Sequence, residues 1–131
     1  MKMQRLTPVL LVDSIEPVLD FWTVRLGFTR TTEVPHNDSI GFVILERDGI
    51  QVMYQTRGSV EADVPSLADA PGGGTFLFIE VDDLNAIATA LEGISPVVPR
   101  RKTFYGADEL IVREPGGNVV TFAQFDEAES Q

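Results

Sequence analysis

The chain contains no cysteine and only one histidine, His36, in 131 residues. The lack of cysteine excludes a disulfide framework, a thiol nucleophile and a cysteine-based zinc or iron–sulfur site. A single histidine excludes the His-pair metal motifs and leaves Ser-His-Asp chemistry dependent on one residue. His36 is therefore a candidate acid or base, although its turn-rich surroundings favour a solvent-exposed side chain.

Basic residues and long apolar runs are also scarce. Ten Lys and Arg accompany twenty Asp and Glu, so the formal net charge is −10. Such a chain repels nucleic acid and anionic membranes and attracts cationic partners, although acidity alone also serves solubility. No apolar run approaches the ~20 residues of a membrane helix, and the N-terminus leads directly into a strand-like segment. We therefore expect a cytoplasmic protein with no nucleic-acid or membrane partner.

The first half of the chain has the pattern of a strand, a helix and three further strands. An apolar strand at 6–12 is followed by a capping-box pattern at 13–16, which predicts the start of a helix that ends at Gly27. Strands are predicted at 28–34, 40–46 and 50–55, and Asp48-Gly49 is a strong hairpin signal between the last two. The apolar face of the helix repeats every three or four residues and comprises Ile15, Val18, Leu19, Trp22 and Leu26.

The second half repeats this order after a segment rich in proline, glycine and small polar residues. A strand at 75–81, a helix capped by Asp82-Asp83, a strand at 94–98 and a hairpin around Pro115-Gly116-Gly117-Asn118 are predicted. The matched signals lie at a nearly constant offset, which indicates an internal repeat. We therefore expect one domain over 1–131, with a first module at 5–56, a linker or lid at 57–74 and a second module at 75–126.

Several motifs in this repeat resemble one superfamily over about residues 5 to 125. They are Leu11-Val12-Asp13, Phe21-Trp22 with Leu26-Gly27-Phe28, Tyr105-Gly106 with Glu109, and the Pro115–Asn118 turn. These features are similar to the vicinal oxygen chelate superfamily, which includes glyoxalase I, extradiol dioxygenases and bleomycin-resistance proteins. The resemblance implies an α+β fold in which two tandem βαβββ modules form a curled mixed sheet around a cup. It also implies a homodimer, because the family pairs its modules within or between chains.

The same resemblance locates the positions of the family's metal ligands. Enzymes of the superfamily hold a divalent cation with His or Glu side chains from the first and last strand of each module. The matching positions here are Thr7, Met53, Phe76 and Thr121, and neither hydroxyl nor thioether groups hold such a cation alone. We therefore expect no metal and no other cofactor, as in the bleomycin-resistance branch.

The leading hypothesis is a metal-independent protein that sequesters an organic ligand, and a cationic ligand suits the acidic chain. Glu109 is either a carboxylate for that ligand, an acid/base group or an ordinary strand-end charge, and the face occupied by Glu80 is open. The basic run at 100–102 either receives an anionic group or forms a solvated loop. Side chains expected to line the cup, through strand alternation or the resemblance, are Thr7, Val9, Gln51, Met53, Gln55, Phe76, Phe78, Tyr105, Glu109 and Thr121.

Two alternatives from other classes stay open at this point. The first is a glyoxalase-like lyase or isomerase, or a dioxygenase-related enzyme, that uses a displaced metal or acid/base chemistry at Glu109 or His36. The second is a non-catalytic interaction module whose cup is filled by side chains such as Phe76, Phe78 and Met53. The empty metal positions favour binding over catalysis.

Overall fold

The computed structural model describes residues 1–126 and divides into two compact units. The first unit spans Met1–Gly73, and the second begins at Gly74. Within residues 1–126, no helix is long and apolar enough to cross a membrane.

The first unit is a four-stranded mixed sheet with its helices in the connections. The strand order is β1-β4-β3-β2, with β1 parallel to β4 and the other pairs antiparallel. Asp48 and Gly49 both have positive φ in the β3–β4 turn, as the predicted hairpin requires. The elements are β1 (Val9–Val12), α1 (Glu16–Leu19) with a π-helical continuation (Asp20–Arg25), β2 (Thr29–His36), β3 (Ser39–Arg47), β4 (Ile50–Thr56), α2 (Arg57–Asp63) and a 3₁₀ turn (Pro65–Leu67).

The second unit repeats the topology of the first. Its strand order is β5-β8-β7-β6, again with one parallel pair at β5 and β8. The predicted α+β repeat of two βαβββ modules is therefore confirmed. The elements are β5 (Phe76–Glu80), α3 (Leu84–Ala90), β6 (Arg101–Lys102), β7 (Ala107–Arg113) and β8 (Val119–Phe125).

Trp22 is the centre of the core in the first unit. Its side chain is fully buried, and its Nε1 donates a hydrogen bond to the Tyr54 hydroxyl at 2.8 Å. The indole contacts Phe21 and Phe28 edge to face, with ring centroids 5.2 and 4.9 Å away. This arrangement satisfies the one polar atom of a large apolar side chain, so Trp22 is a core anchor.

The first helix ends at Gly27 as predicted, where φ is +72°, but its start and its hydrogen-bonding period differ from the prediction. No side chain caps α1, because its N-cap residue is Ile15, which has no side-chain acceptor; the Glu16 carboxylate accepts the Ile40 backbone N–H at 3.0 Å instead of closing a capping box. This hydrogen bond lowers the pKa of Glu16. The π-helical turns that follow have a wider hydrogen-bonding period than the α-helix. Phe21, which lies outside the predicted apolar face, is consequently buried together with Trp22.

The β7–β8 turn is held by two buried polar residues, Glu114 and Asn118. The Asn118 N–H donates to Glu114 Oε1 at 2.6 Å, and the Thr75 N–H donates to Asn118 Oδ1 at 3.0 Å. Gly117 has a φ of +92°, a conformation that a side chain rarely adopts. The turn thus joins the end of β7 to the segment that leads into β5.

Two predicted segments have a different structure. The predicted strand at 94–98 is absent, because Pro96 and Pro99 remove backbone donors, and the edge strand β6 forms at Arg101–Lys102 instead. The predicted linker at 57–74 contains α2, whose first turn is capped by the Thr56 hydroxyl, which accepts the Ser59 N–H at 3.1 Å. Its helical content therefore begins at Arg57, directly after β4.

Candidate functional site

One face of the first sheet packs against the helix, and the other is open. Strand alternation puts Gln51, Met53 and Gln55 on the open face, where all three are half-buried. Val9 pairs with Met53 across β1 and β4 and is half-exposed. Thr7 lies just before β1, and its hydroxyl donates to Gln51 Oε1 at 2.8 Å. The first sheet therefore brings together all five of its predicted ligand-facing residues.

The open face of the second sheet is more exposed and more aromatic. Phe76 and Phe78 are 80% and 53% exposed on β5, and Phe78 pairs with Thr121 of β8. Large aromatic side chains at such exposure on a strand are unusual in a monomeric domain. The residues predicted on this sheet therefore do share one face, and its apolar part is accessible within the unit.

A continuous series of aromatic rings crosses this face. The ring centroid of Phe125 lies 6.3 Å from that of Phe78 and 6.1 Å from that of Tyr105. Tyr105 in turn contacts Phe104 edge to face at 5.1 Å. Ring faces of this kind attract organic cations through their quadrupoles and stack on planar groups. Phe125 and Phe104 were not among the predicted site residues, since an end-of-strand and a loop aromatic carry no periodic signal.

Glu109 lies on the same face, with its side chain 1% exposed. It accepts hydrogen bonds from the Tyr105 hydroxyl and from Arg101, whose Nη2 is 3.1 Å from Glu109 Oε1. Its charge is thereby compensated within the unit. The carboxylate holds Tyr105 and Arg101 in position, and it is not an open partner for a ligand cation.

Glu80 is the accessible carboxylate of this face. It pairs with Ala123 of β8, which pairs with Glu109 of β7, so the three residues form one row across the sheet. Two strand spacings separate Glu80 from Glu109 by roughly 10 Å. The Glu80 side chain is exposed and makes no ion pair or hydrogen bond within residues 1–126. A ligand cation would therefore meet Glu80 first.

Each residue of the basic run is paired with an acidic side chain. Arg100 binds both Asp108 oxygens, at 3.1 and 2.8 Å, which lowers the pKa of the Asp108 carboxyl. Lys102 Nζ lies 3.3 Å from the Asp126 carboxylate. The run is a strand edge with local ion pairs, so it is not a cluster of unpaired positive charges.

His36 lies at the end of β2, where the sequence predicted a turn, and its side chain is half-buried. Gly41 and Gly58 leave room for the imidazole, because a side chain at Gly41 would meet His36 Cβ at 2.5 Å and one at Gly58 would lie 3.4 Å from Nε2. The ring is packed against the start of α2. It is better explained as a packing residue of the first unit than as an acid or base.

The family's metal positions do not fit a divalent cation. Met53 of β4 is aligned with Val9, and Thr121 of β8 is aligned with Phe78. The donors at these positions are a thioether and a hydroxyl, whereas such cations take carboxylate, imidazole or thiolate ligands. Within residues 1–126, no group of three or more His, Asp or Glu side chains is arranged to hold a metal ion.

The Tyr105 hydroxyl should titrate at a higher pH than an ordinary tyrosine. Its hydrogen bond to the Glu109 carboxylate raises the pKa of Tyr105, and desolvation acts in the same direction. The hydrogen bond therefore stabilises the folded state below the pKa of tyrosine in the unfolded chain, about 10. This contribution is lost as the pH rises through the higher pKa of Tyr105 in the folded state. A ¹³C NMR titration of the tyrosine ζ carbons should give a midpoint above 10 for Tyr105. The variant Glu109→Gln should lower it, and an unchanged midpoint would contradict the hydrogen bond.

Comparisons with known proteins agree with this architecture. The family model described as the Glyoxalase/Bleomycin resistance protein/Dioxygenase superfamily matches residues 4–122. A search of curated proteins found no match.

Three solved structures resemble the chain at low identity. TioX from Micromonospora sp. ML1 has a TM-score of 0.75 at 19% identity, with 95% of this chain and 100% of that chain covered. A glyoxalase/bleomycin resistance protein/dioxygenase from Nocardioides has a TM-score of 0.71 at 20% identity, with 97% and 87% covered. The bleomycin-binding protein from Streptomyces verticillus, solved with copper(II)-bleomycin, has a TM-score of 0.64 at 24% identity, with 96% and 99% covered.

At these identities the structural neighbours show the fold alone. The fold and its two open faces define an α+β protein of repeated βαβββ modules. The chain belongs to the Glyoxalase/Bleomycin resistance protein/Dioxygenase superfamily.

Proposed function

We propose that the chain binds an organic cation on the open face of the second sheet, without the help of a bound metal. The observation that carries this proposal is the series of accessible aromatic rings beside the unpaired carboxylate of Glu80. Aromatic faces and a carboxylate together suit a cation with an extended apolar part. The net charge of −10 adds a long-range attraction for such a ligand.

Glu109 contributes indirectly through Tyr105. Because the Tyr105 hydroxyl donates a hydrogen bond to the Glu109 carboxylate, its oxygen becomes a better acceptor for a further donor. A ligand ammonium or amide N–H can use that oxygen. The open face of the first sheet, with Met53, Gln51 and Gln55, offers a further apolar surface with amide groups, and we include it among the proposed ligand contacts.

A bleomycin-type glycopeptide is the ligand with which we would test the proposal first, because two neighbouring structures are bleomycin-binding proteins in complex with the drug. Isothermal titration with the metal-free drug should give binding at micromolar concentration or tighter, and added salt should weaken it. No heat of binding at that concentration would contradict the antibiotic version of the proposal. Organic cations without the glycopeptide would then be titrated.

Two substitutions test the face itself. Glu80→Gln should weaken binding of a cation about 3–10-fold, since it removes one partly screened charge contact. Phe78→Ala should weaken it by more than about 10-fold, since it removes an aromatic anchor. Asp82→Asn is the matched control, because it removes the same charge from an exposed residue just after β5 and should leave affinity unchanged.

The enzyme alternative has less support in the geometry. Glu109 is neutralised by Arg101, and His36 is packed between glycines of the first unit. Neither group is poised as an open acid or base. Elemental analysis of purified protein tests the remaining enzyme hypothesis, a displaced metal site, because stoichiometric Zn, Ni, Fe or Mn would favour it.

We also propose that the chain forms a homodimer. Leu6 and Phe76 are among the most exposed large apolar side chains of residues 1–126, and Val9 is about half exposed. A second copy would remove part of this area from water. The cytoplasmic location stays a prediction from the sequence.

A further inference from the structure

A second candidate site belongs to the first unit, whereas the rings and carboxylates described above belong to the second. The segment that follows β4 forms a roof beside the open face of the first sheet, and a cavity of about 220 Å³ lies beneath it. We call this segment, residues 57–70, the roof. The cavity is lined by Val9, Leu11, Gln55, Val60, Leu67 and Ala70.

Arg57 holds the roof closed. Its Nη1 donates to the carbonyl oxygens of Ala68 and Ala70, at 2.9 and 2.8 Å, so the first residue of α2 binds the end of the roof. Its Nε lies 3.6 Å from the Asp13 carboxylate, just beyond β1. The chain then passes close to β1, because a side chain at Gly72 would meet the Leu11 carbonyl oxygen at 2.6 Å. The roof is thus tied to the sheet at both ends.

The chemistry of the lining restricts what the cavity can hold. Five of the six lining residues are apolar, and none is charged. A charged ligand would lose part of its hydration there without an ion partner, so the cavity favours a neutral molecule.

Gln55 supplies the single polar side chain. Its Nε2 donates to Ser59 Oγ at 3.1 Å, and its carbonyl oxygen accepts no hydrogen bond within residues 1–126. That oxygen is left for a donor on the ligand.

The volume restricts the size of the ligand. An apolar cavity of about 150 Å³ holds benzene, and pockets for drug-sized ligands begin near 300 Å³. We propose that this cavity, which is about 220 Å³ in volume, binds a small neutral aromatic molecule that has one hydroxyl or N–H donor. The proposal goes beyond the function proposed above. It shares Gln55 with the contacts proposed there, but it does not depend on the rings and carboxylates of the second unit.

A titration with p-cresol tests this proposal on the full chain. Binding in the range of roughly 0.1–1 mM is expected for a ligand of this size, with NMR shifts of backbone amides confined to residues 9–11 and 55–70. p-Xylene, which has a methyl group in place of the hydroxyl, should bind several-fold more weakly. The anion p-toluate should not bind. Shifts scattered over the rest of the chain, or p-toluate binding as tightly as p-cresol, would overturn the proposal.

Substitutions in the lining and the roof provide a second test of p-cresol binding. Ala70→Phe fills the cavity and should weaken p-cresol binding by more than about 10-fold. Ala62→Phe makes the same change at an exposed residue of the roof, outside the lining and outside the Arg57 contacts, and should bind like the parent. Gln55→Leu should remove the preference for p-cresol over p-xylene. Equal binding by Ala70→Phe and the parent would also overturn the proposal, and if Ala70→Phe does not fold, the ligand series decides.

Discussion

Replacement of Trp22 by alanine should destabilise the first unit by about 3–5 kcal/mol, the cost of removing a large buried aromatic side chain. Its side chain is fully buried, and it contacts two aromatic rings and the Tyr54 hydroxyl. A domain of this size is stable by only about 5–15 kcal/mol, so the loss is a large part of the total. Urea denaturation followed by far-UV circular dichroism measures it, since the variant lacks the tryptophan fluorescence signal.

The cost has two parts that separate variants can measure. Tyr54→Phe keeps the packing and leaves the buried Trp22 N–H without this acceptor. It should lower the free energy of unfolding by about 1–3 kcal/mol. Trp22→Phe keeps an aromatic ring and removes the N–H with part of the volume, so its cost should lie below that of alanine. Val24→Ala is the surface control on the same helical segment, because Val24 is largely exposed. A loss below about 1 kcal/mol for Trp22→Ala would contradict the assignment of a core anchor.

The sequence predicted most of the fold because its signals are local. Asp48-Gly49 and the turn at Pro115–Asn118 require backbone conformations that few residues adopt, and both hairpins form where predicted. The repeat of such signals indicated two modules. The helix begins at Glu16 as expected, but the predicted capping box was wrong, because the Glu16 carboxylate accepts the N–H of Ile40, which lies 24 residues away. A long-range hydrogen bond of this kind leaves no mark on local patterns.

The candidate site was less predictable for a related reason. Strand alternation correctly grouped Gln51, Met53 and Gln55 on one face, since the period of two is local. The faces of Glu80 and Glu109 depended on strand register, which the sequence did not define. The pairing of Glu109 with Arg101 also required β6, and the prediction had a loop at that position. Only the tertiary structure therefore shows that Glu80 is the unpaired carboxylate and that Glu109 is the paired one.

Replacement of Arg101 by methionine should destabilise the second unit by about 2–4 kcal/mol, more than Glu109→Leu does. The two partners differ in exposure, because the Arg101 side chain is 55% exposed and the Glu109 side chain is 1% exposed. Without Glu109, the guanidinium regains water. Without Arg101, the buried carboxylate keeps only the Tyr105 hydroxyl among its partners described above. Chemical denaturation of both variants measures the difference.

The double variant separates ion-pair loss from lost packing. Arg101→Met with Glu109→Leu leaves no buried charge, so it should be more stable than Arg101→Met alone, and the double-mutant cycle should give a coupling of about 1–3 kcal/mol. Additive losses would mean that the pair acts only through packing of its side chains. Lys102→Met is the matched control, since its partner Asp126 is about half exposed and can be solvated.

The same substitution should have the opposite effect on ligand binding. Arg101→Met removes the positive charge that neutralises Glu109 on the open face, so an organic cation meets two carboxylates, Glu80 and Glu109, in one row. The affinity for a cationic ligand should rise about 3–10-fold, because a second negative charge becomes available to it. The stability of the unit should fall at the same time, which is the usual trade-off between function and stability. Isothermal titration of Arg101→Met under conditions where it is folded measures this effect. If affinity falls instead, the guanidinium itself contacts the ligand, and the ligand of this face carries an anionic group.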